Sequence, residues 1–497
     1  MNYTKLAVRG AAIVFATSIV AAFLGYLVRL VMVRNLSLED VCLFYSIFSF
    51  LSVLNVFKAL GVDTALVKFI PEFLSKKKND YAKSSIVYAT VIQLINNTII
   101  LGSVYFFSSY LSVHYFHSEK AVILLRLMLV AFYIDSLTLI LKYSFQGFKD
   151  MINFSVIDLV RMMLIIAVLL IGFKLNAGIL SPAIAYILVP IILLMIFGNI
   201  LFRKTFPQFS KSNLVKDAKF FREMVRYGIH VMAVSVGNVI LGNIDIMVLT
   251  YFSGLASVGL YSVALPTGKL LLYLPRAIGG IMLPLSAELW AENKKHILKA
   301  GIEKLYKYSI IAIVPLVFAI FSFSDFILNM FFGSAYAAAG MALKILVIGM
   351  IFAAIYGINI NFFAAIGKPE INSKIIYSAA VFNLIGNLIM VPLIGIKGAA
   401  ISTSVSYLIM MVIGLFYIKK YIKIKLPFRN WAMSILSGMA FIFVIFTLKK
   451  LMMFNVWVEA ALSLTAASLA YIALLLLIKV ISIEELKSVY ERIFRQS

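Results

Sequence analysis

The chain has 497 residues, of which 63% are hydrophobic and 13% are charged, and its mean hydropathy is +1.02. In a soluble domain about a quarter of the residues are charged, so this composition excludes a water-soluble fold of this length. The formal net charge of +24 would suit a nucleic-acid-binding protein, but the basic residues lie mostly in short loops between apolar segments. That arrangement is typical of membrane proteins and argues against a nucleic-acid partner.

Apolar stretches long enough to cross a bilayer recur along the chain. About 20 apolar residues in a helix span the hydrocarbon core. We predict an all-α polytopic membrane protein with about 14 transmembrane helices, at residues 8–31, 41–62, 84–108, 121–144, 154–173, 178–201, 227–251, 257–285, 305–327, 338–365, 375–393, 397–418, 431–449 and 457–479. A closed β-barrel would read as short alternating strands, so that alternative is excluded.

Lysine and arginine concentrate in alternate loops of this predicted topology. The outer loops hold only seven of them, namely Arg34, Lys120, Lys174, Lys344, Lys397, Lys449 and Lys450. The inner loops hold the majority, with a dense cluster between Arg203 and Arg226. Because cytoplasmic loops carry an excess of positive charge, we expect a protein of the cytoplasmic membrane with both termini in the cytoplasm. Part of the basic excess is expected to contact anionic membrane lipids.

The two halves of the chain resemble each other. Residues 29–45 align with 245–261 at an offset of 216, and 147–186 align with 367–407 at an offset of about 220. Each half holds six predicted helices, an even number, so both halves would enter the membrane from the same side. They would then be related by a pseudo-two-fold axis along the membrane normal. Such repeats suit alternating access, and duplication without transport is the other interpretation.

These features predict five segments. They are an N-terminal six-helix lobe at 1–205, a basic cytoplasmic linker at 206–226, a C-terminal six-helix lobe at 227–425, an appended helix pair at 426–480 and a cytoplasmic amphipathic tail at 481–497. A second amphipathic segment is predicted at Pro71–Asp80. Both amphipathic segments are expected to lie at the membrane surface.

Ionisable residues within the predicted helices are the candidate functional residues, because charge in the membrane interior is costly and usually faces protein or a water-filled cavity. Predicted helices 4 and 5 form an antiparallel hairpin. It places Asp135 near the depth of Arg161, and Lys142 near that of Asp158. We interpret these four as structural salt bridges that hold the two helices together, with a functional role as the alternative.

Predicted helices 1, 2, 7 and 8 carry four cations and one anion. The cations are Arg29, Lys58, Lys269 and Arg276, and the anion is Asp245. Lys269 and Arg276 are seven residues apart and share one helix face. A cavity with net positive charge suits an anionic group such as a phosphate or diphosphate. For Arg29 and Lys58, which lie near helix ends, snorkelling to the membrane surface is the competing interpretation.

Asp245 occupies the repeat position of Arg29 with the opposite charge. It is therefore a candidate either to balance the charge of Arg29 or to carry a coupling ion, H+ or Na+. Near it, Gly237 and Gly242 lie in predicted helix 7, and Pro266, Pro275 and Pro284 recur every nine residues in predicted helix 8. Such residues mark kinks and hinges in membrane helices, or serve close helix packing.

The sequence does not point to an enzyme. A membrane glycan polymerase or ligase would need a sizeable outer loop with acid/base residues, and the outer loops here are short. His114 and His117 lie in one of them, where a solvated pair is expected rather than a metal site. Cys42 is the only cysteine, and no helix carries a zinc motif or a phosphate-binding glycine loop. We predict no catalytic residue, no metal site and no cofactor.

Several stretches resemble one family of membrane proteins. They are Val33–Ser37 through Phe69, Asp245–Leu249, Val258–Ser262, Leu274–Ser286, Asn383–Asn387 and Val391–Thr403. Together they are similar to prokaryotic polysaccharide exporters, the O-antigen-type oligosaccharide flippases of the superfamily that also contains lipid II flippases and multidrug/toxin extruders. One departure is Cys42-Leu43, where the family often has Tyr-Gly.

The resemblance implies two six-helix lobes that form a V, with helices 1, 2, 7 and 8 lining a cationic central cavity. It implies a flippase that moves an isoprenoid-(di)phosphate-linked oligosaccharide from the cytoplasmic to the outer leaflet. A multidrug or organic-cation exporter of the same superfamily is the alternative, but it would favour buried carboxylates in the cavity. The resemblance also gives typical drug extruders twelve helices, so the appended helix pair favours the flippase.

Overall fold

The structure is a computed structural model that describes residues 3–451 and 456–482. Within these ranges the side chains of residues 3–13, 15, 59, 234, 274, 276–281, 283, 284 and 456 are not described. The predicted tail at 481–497 therefore lies almost wholly outside the described residues. In the described part of the chain, 14 helices are long and apolar enough to cross a membrane, and none of its residues forms a strand. The prediction of an all-α polytopic membrane protein is confirmed.

Long helices follow one another with short connections. The first nine are α1 (Tyr3–Asn35), α2 (Leu38–Ala59), α3 (Val62–Ser75), α4 (Asn79–Phe106), α5 (Ser108–His114), α6 (Ala121–Gly147), α7 (Met151–Lys174), α8 (Leu180–Ile200) and α9 (Ala218–Phe252). The others are α10 (Gly254–Lys269), α11 (Tyr273–Ala291), α12 (Lys295–Ser322), α13 (Ser324–Phe332), α14 (Gly340–Ala365), α15 (Pro369–Ile394), α16 (Ile396–Tyr421), α17 (Phe428–Leu451) and α18 (Val456–Leu477).

The chain divides into two compact units. The first comprises Met1–Pro266, Phe331–Ala339 and Ile376–Thr403, and the second comprises Thr267–Met330, Gly340–Ile375 and Ser404–Ser497. In the first unit α1 packs on α7, α6 on α8, and α2 on α9. In the second unit α14 packs on both α11 and α12, and α17 packs on α12 and α18. The predicted lobe boundaries stay a prediction.

The second predicted helix ends earlier than expected. Leu60 and Gly61 both have positive φ values, of 46° and 65°, and this left-handed pair separates α2 from α3. The amphipathic helix therefore begins at Val62 and not at Pro71, the residue predicted from the sequence. Its buried residues Val62, Leu66 and Phe69 recur at helical spacing on one face. Apolar content alone missed this break because the residues on both sides of it are equally apolar.

The eighth predicted helix, 257–285, is interrupted in the structure. It consists of α10, a 3-10 turn at Leu270–Leu272, and α11. The turn lies between Pro266 and Pro275, and a proline ring within a helix removes a backbone hydrogen bond and clashes with the preceding turn. The prolines thus explain why a continuous apolar stretch becomes two helices.

The basic linker is bound along the N-terminal half of α4. Asp80 Oδ1 accepts a hydrogen bond from the backbone N of Asn213 at 2.8 Å, and Ser84 Oγ accepts one from Val215 N at 2.9 Å. Tyr88 donates to the carbonyl of Val215 at 2.5 Å. Because residues 80, 84 and 88 are four apart, they share one face of α4. The linker is therefore an ordered strap on the first unit.

Apolar contacts reinforce this strap. Phe206, Phe220 and Met224 are buried in one cluster with Phe69 and Ile70 of α3. The ring of Phe220 stands edge-on to that of Phe69, with centroids 5.4 Å apart. The side chain of Asp217 then caps α9, accepting from the backbone N of Lys219 and Phe220. The beginning of α9 is therefore held against α3.

Candidate functional site

Asp245 is the centre of a buried polar network on four helices of the first unit. Its Oδ2 accepts hydrogen bonds from the hydroxyls of Tyr261 and Thr403, both at 2.7 Å, and its Oδ1 accepts one from Asn387 Nδ2 at 2.7 Å. Asn383 Nδ2 donates in turn to Thr403 Oγ1 at 3.3 Å. Only 1% of Asp245 is exposed. The three residues that contact Asp245 come from α10, α15 and α16, so the carboxylate of α9 joins all of these helices.

The donors of this network were not identified as site residues from the sequence. Asn383, Asn387 and Thr403 lie in stretches that carried the family resemblance, but no periodicity assigned them a role. The available signal was their polarity within apolar helices. Tyr261 could also have been recognised as a candidate, because it aligns with Tyr45 in the internal repeat.

Arg29 contacts the corresponding tyrosine in the first half. Its guanidinium carbon lies 4.5 Å from the ring centroid of Tyr45, and its Nη1 donates to the backbone carbonyl of Ser262. The side chain is half-buried. Among the described residues no carboxylate forms an ion pair with it. Arg29 and Asp245, which the sequence offered as a charge-balancing pair, thus have different partners in the structure.

Lys58 is fully buried at the end of α2. Its ammonium donates to the backbone carbonyl of Phe132 on α6 and lies 5.1 Å from the centroid of the Phe132 ring. In this conformation its charge is turned toward the protein. The competing interpretation was that Lys58 reaches the membrane surface, but in the structure its side chain is buried against α6.

The two proposed structural pairs are in contact between α6 and α7. Arg161 Nη1 lies 2.6 Å from Asp135 Oδ1, and Arg161 Nη2 also donates to Thr138 Oγ1 at 2.8 Å. Lys142 Nζ lies 2.5 Å from Asp158 Oδ2. The first pair is the more enclosed, since Asp135 is 23% exposed and Asp158 is 39% exposed.

The remaining two cations belong to the second unit. Lys269 is the last residue of α10 and is half-buried. Arg276 lies in the first turn of α11, and its side chain is outside the described residues. Their roles stay predictions. Across the described residues, no group of three or more His, Cys, Asp or Glu side chains could hold a metal ion.

Comparisons with known sequences give a family and two relatives, one of which matches over the whole chain. A family model described as "Polysaccharide biosynthesis protein" matches residues 7–290. The chain is 32% identical to the uncharacterized membrane protein MJ1068 of Methanocaldococcus jannaschii, over 100% of both chains. It is 23% identical to the "Probable low-salt glycan biosynthesis flippase Agl15" of Haloferax volcanii, over 52% of this chain and 54% of the relative.

Two solved structures with similar folds are a flippase and a multidrug transporter. The lipid II flippase MurJ, in an inward closed conformation, matches with a TM-score of 0.72 and 18% identity, over 96% of this chain and 98% of that chain. An inward-facing multidrug resistance MATE family transporter of the MOP superfamily matches with a TM-score of 0.71 and 16% identity. That match covers 81% of this chain and 94% of the transporter. At these identities the likeness establishes the fold alone.

Proposed function

We propose, on the premise that this chain belongs to the polysaccharide biosynthesis protein family, that it moves an isoprenoid-(di)phosphate-linked oligosaccharide from the cytoplasmic to the outer leaflet by alternating access. The protein would act in the cytoplasmic membrane, with both termini in the cytoplasm, as a transporter without enzymatic chemistry. Its cargo would serve the assembly of a surface polysaccharide or glycan.

The observation that carries this proposal is that Arg29 lies within a membrane span and forms no ion pair with a carboxylate of the described residues. A guanidinium within a membrane span is costly unless it is paired or reaches a polar cavity. Arg29 is half-buried, and its contacts are a ring and a carbonyl, so its charge is not neutralised by a carboxylate of the described residues. Arginine binds phosphate through charge-assisted hydrogen bonds, often in a bidentate manner. A lipid-linked diphosphate would supply the missing negative charge.

The alternative function is export of organic cations. The fold does not discriminate between the two functions, because the flippase and the drug transporter match with almost the same TM-score. Charge does discriminate, since a cationic drug would be repelled by an unneutralised arginine. The glycan flippase among the sequence relatives also favours a lipid-linked sugar.

Asp245 is the candidate for coupling. It combines a buried carboxylate with hydroxyl and amide groups from three other helices, so a change in its charge would alter the packing of all of them. Hydroxyl and carboxylate oxygens are common ligands of small cations. H+ or Na+ is therefore the proposed coupling ion. Lys269 and Arg276 are further candidates for phosphate contact, whereas Lys58 would first have to leave Phe132.

The test is a leaflet-exchange assay with the full chain in liposomes that contain a fluorescent isoprenoid-diphosphate oligosaccharide. Arg29→Ala should slow its movement at least about tenfold, because a hydrogen bond to a charged group contributes about 1.5–3 kcal/mol. Arg34→Ala, on the same helix but exposed, is the matched control and should keep the wild-type rate. The double variant Lys269→Ala/Arg276→Ala, in the same assay, tests whether the two cations of the second unit contribute to movement.

Three results would change the assignment. Equal rates for Arg29→Ala and wild type would leave a flippase but remove Arg29 from its site. No movement above empty liposomes by folded protein, across applied H+ and Na+ gradients, would contradict the flippase. Uptake of an organic cation by the same liposomes would then establish the exporter.

A further inference from the structure

A cavity with polar side chains in its lining lies in the first unit, between α2, α3, α6 and α9. Its volume is about 240 Å3. The polar side chains that line it are Ser52, Asn55, Asp63, Thr64, Tyr143 and Ser235. This cavity does not include any residue of the Asp245 network.

Asp63 gives the cavity a buried negative charge. The residue is 7% exposed and lies in the first turn of α3, where its Oδ1 accepts from the backbone N of Thr64 at 2.7 Å. None of the described cations forms an ion pair with it. Burial raises the pKa of this carboxyl because desolvation penalises the charged form. A cation bound at the carboxylate would offset that penalty.

Oxygen ligands are available beside this carboxylate. The amide Oδ1 of Asn55 is buried and has no hydrogen-bond partner. The hydroxyls of Ser52 and Ser235 donate to carbonyls of their own helices, which leaves their oxygen lone pairs free to accept or to bind a cation. Asn55 Oδ1 can therefore contact a cation without losing a hydrogen bond.

The cavity adjoins a close backbone contact between α9 and the α2–α3 turn. A Cβ atom at Gly61 would overlap the backbone of Gly228, and a Cβ at Gly228 would lie 2.5 Å from the carbonyl oxygen of Leu60. Gly61 itself lines the cavity. Charge at Asp63, two residues further along, would therefore act directly beside this contact.

We propose that this cavity binds a monovalent metal cation, Na+, with Asp63 as the charged ligand and the oxygens of Asn55, Ser52, Thr64 and Ser235 as neutral ligands. A hard cation prefers such oxygens, and a single carboxylate suits one positive charge rather than two. Bound Na+ stabilises the contact of α9 with the α2–α3 turn by neutralising the carboxylate beside it. This site goes beyond the proposed function, since its occupancy can be measured without any transport.

Two other groups act on the same carboxylate. Lys58 is the cation whose field reaches Asp63, but its ammonium is bound to the carbonyl of Phe132. Tyr143 faces the cavity from α6 and is neutral at physiological pH. The field of Lys58 opposes a second cation, so the affinity for Na+ is modest.

The test is equilibrium binding of radioactive Na+ to the purified full chain in lipid nanodiscs. Asp245→Asn removes the charge of the proposed coupling site and isolates the Asp63 cavity. Adding Asp63→Asn to that variant should weaken the remaining Na+ binding at least about tenfold. Glu119→Gln, at an exposed carboxylate, is the matched control and should leave binding unchanged.

Two outcomes would overturn the proposal. One is Na+ binding by Asp245→Asn that Asp63→Asn leaves unchanged, and the other is no binding by a folded Asp245→Asn protein. Asn55→Asp provides a test that does not need Asp63→Asn to fold. A second carboxylate in the cavity should create Ca2+ binding at least about tenfold tighter than in the wild type. Absence of that gain in the folded variant would also contradict the site.

Discussion

Tyr45 and Tyr261 occupy equivalent positions in the repeat, and each contacts the ionisable residue sixteen positions before it. Tyr45 lies under the guanidinium of Arg29, and Tyr261 donates to the carboxylate of Asp245. The two equivalent helix pairs thus present residues of opposite charge to a tyrosine. A cation suits the phosphate of a substrate, and an anion suits a coupling ion.

The pair Asp135–Arg161 is expected to stabilise the fold rather than to contact the substrate. Removing one partner of an enclosed ion pair leaves the other charge without compensation. Asp135→Ala should therefore lower the free energy of unfolding by about 3 kcal/mol, as measured by thermal or denaturant unfolding in nanodiscs. The double variant Asp135→Ala/Arg161→Met should lose less free energy of unfolding than Asp135→Ala and Arg161→Met lose in sum.

Lys142–Asp158 is the matched control for that experiment. Asp158 is 39% exposed, so Asp158→Ala should cost about 1 kcal/mol or less. Equal losses for Asp135→Ala and Asp158→Ala would show that enclosure does not determine the contribution of these pairs. A transport defect in a stable Asp135→Ala protein would instead assign Asp135 to the mechanism.

At the scale of elements, α9 contacts the first half of the chain along its length and the second half toward its C-terminal end. The strap on α4 and the contact of Phe220 with Phe69 hold its beginning. Asp245 and Ser253 contact residues of α15 and α16 further along the same helix. The C-terminal part of α9 therefore contacts both halves of the chain, since Asn243 and Thr250 also contact Ser49 and Ser46 of α2.

The contact between Gly228 and the α2–α3 turn gives a prediction for α9. Gly228→Ala should destabilise the protein by about 1–3 kcal/mol, because its Cβ would overlap the carbonyl oxygen of Leu60. Gly102→Ala in α4 is the control, since nothing lies within 4 Å of its Cβ position. That variant should be neutral or more stable by up to about 1 kcal/mol. Unfolding temperatures that fall equally in both variants would contradict the close contact.

At the scale of the whole molecule, the distribution of basic residues predicts an orientation in the membrane that can be tested with single cysteines. Cys42 is buried, so a Cys42→Ala background should be silent toward membrane-impermeant thiol reagents. Glu119→Cys, in an outer loop, should react in intact cells. Ser210→Cys, in the strap, should react only after the membrane is opened. The reverse pattern would overturn the predicted orientation of both termini.

The limits of sequence reasoning are clear at particular residues. The pairs Asp135–Arg161 and Lys142–Asp158 could be predicted because both partners lie on one helical hairpin, where depth follows from position along the chain. The partners of Asp245 could not, because Asn387 and Thr403 are 142 and 158 residues away. The break at Leu60–Gly61 was missed for a different reason. The residues on both sides of it are equally apolar, so hydropathy gives no boundary there.

The sequence by itself determined the fold class, the number of membrane spans and the family, and each of these is confirmed. They follow from local properties, because lipid forces every spanning segment to satisfy its own backbone and to be apolar over a set length. Only the tertiary structure decided the partner of each buried charge, the course of the linker along α4 and the cavity at Asp63. Those depend on which helices pack together, and side-chain partners far apart in the chain are determined by that packing.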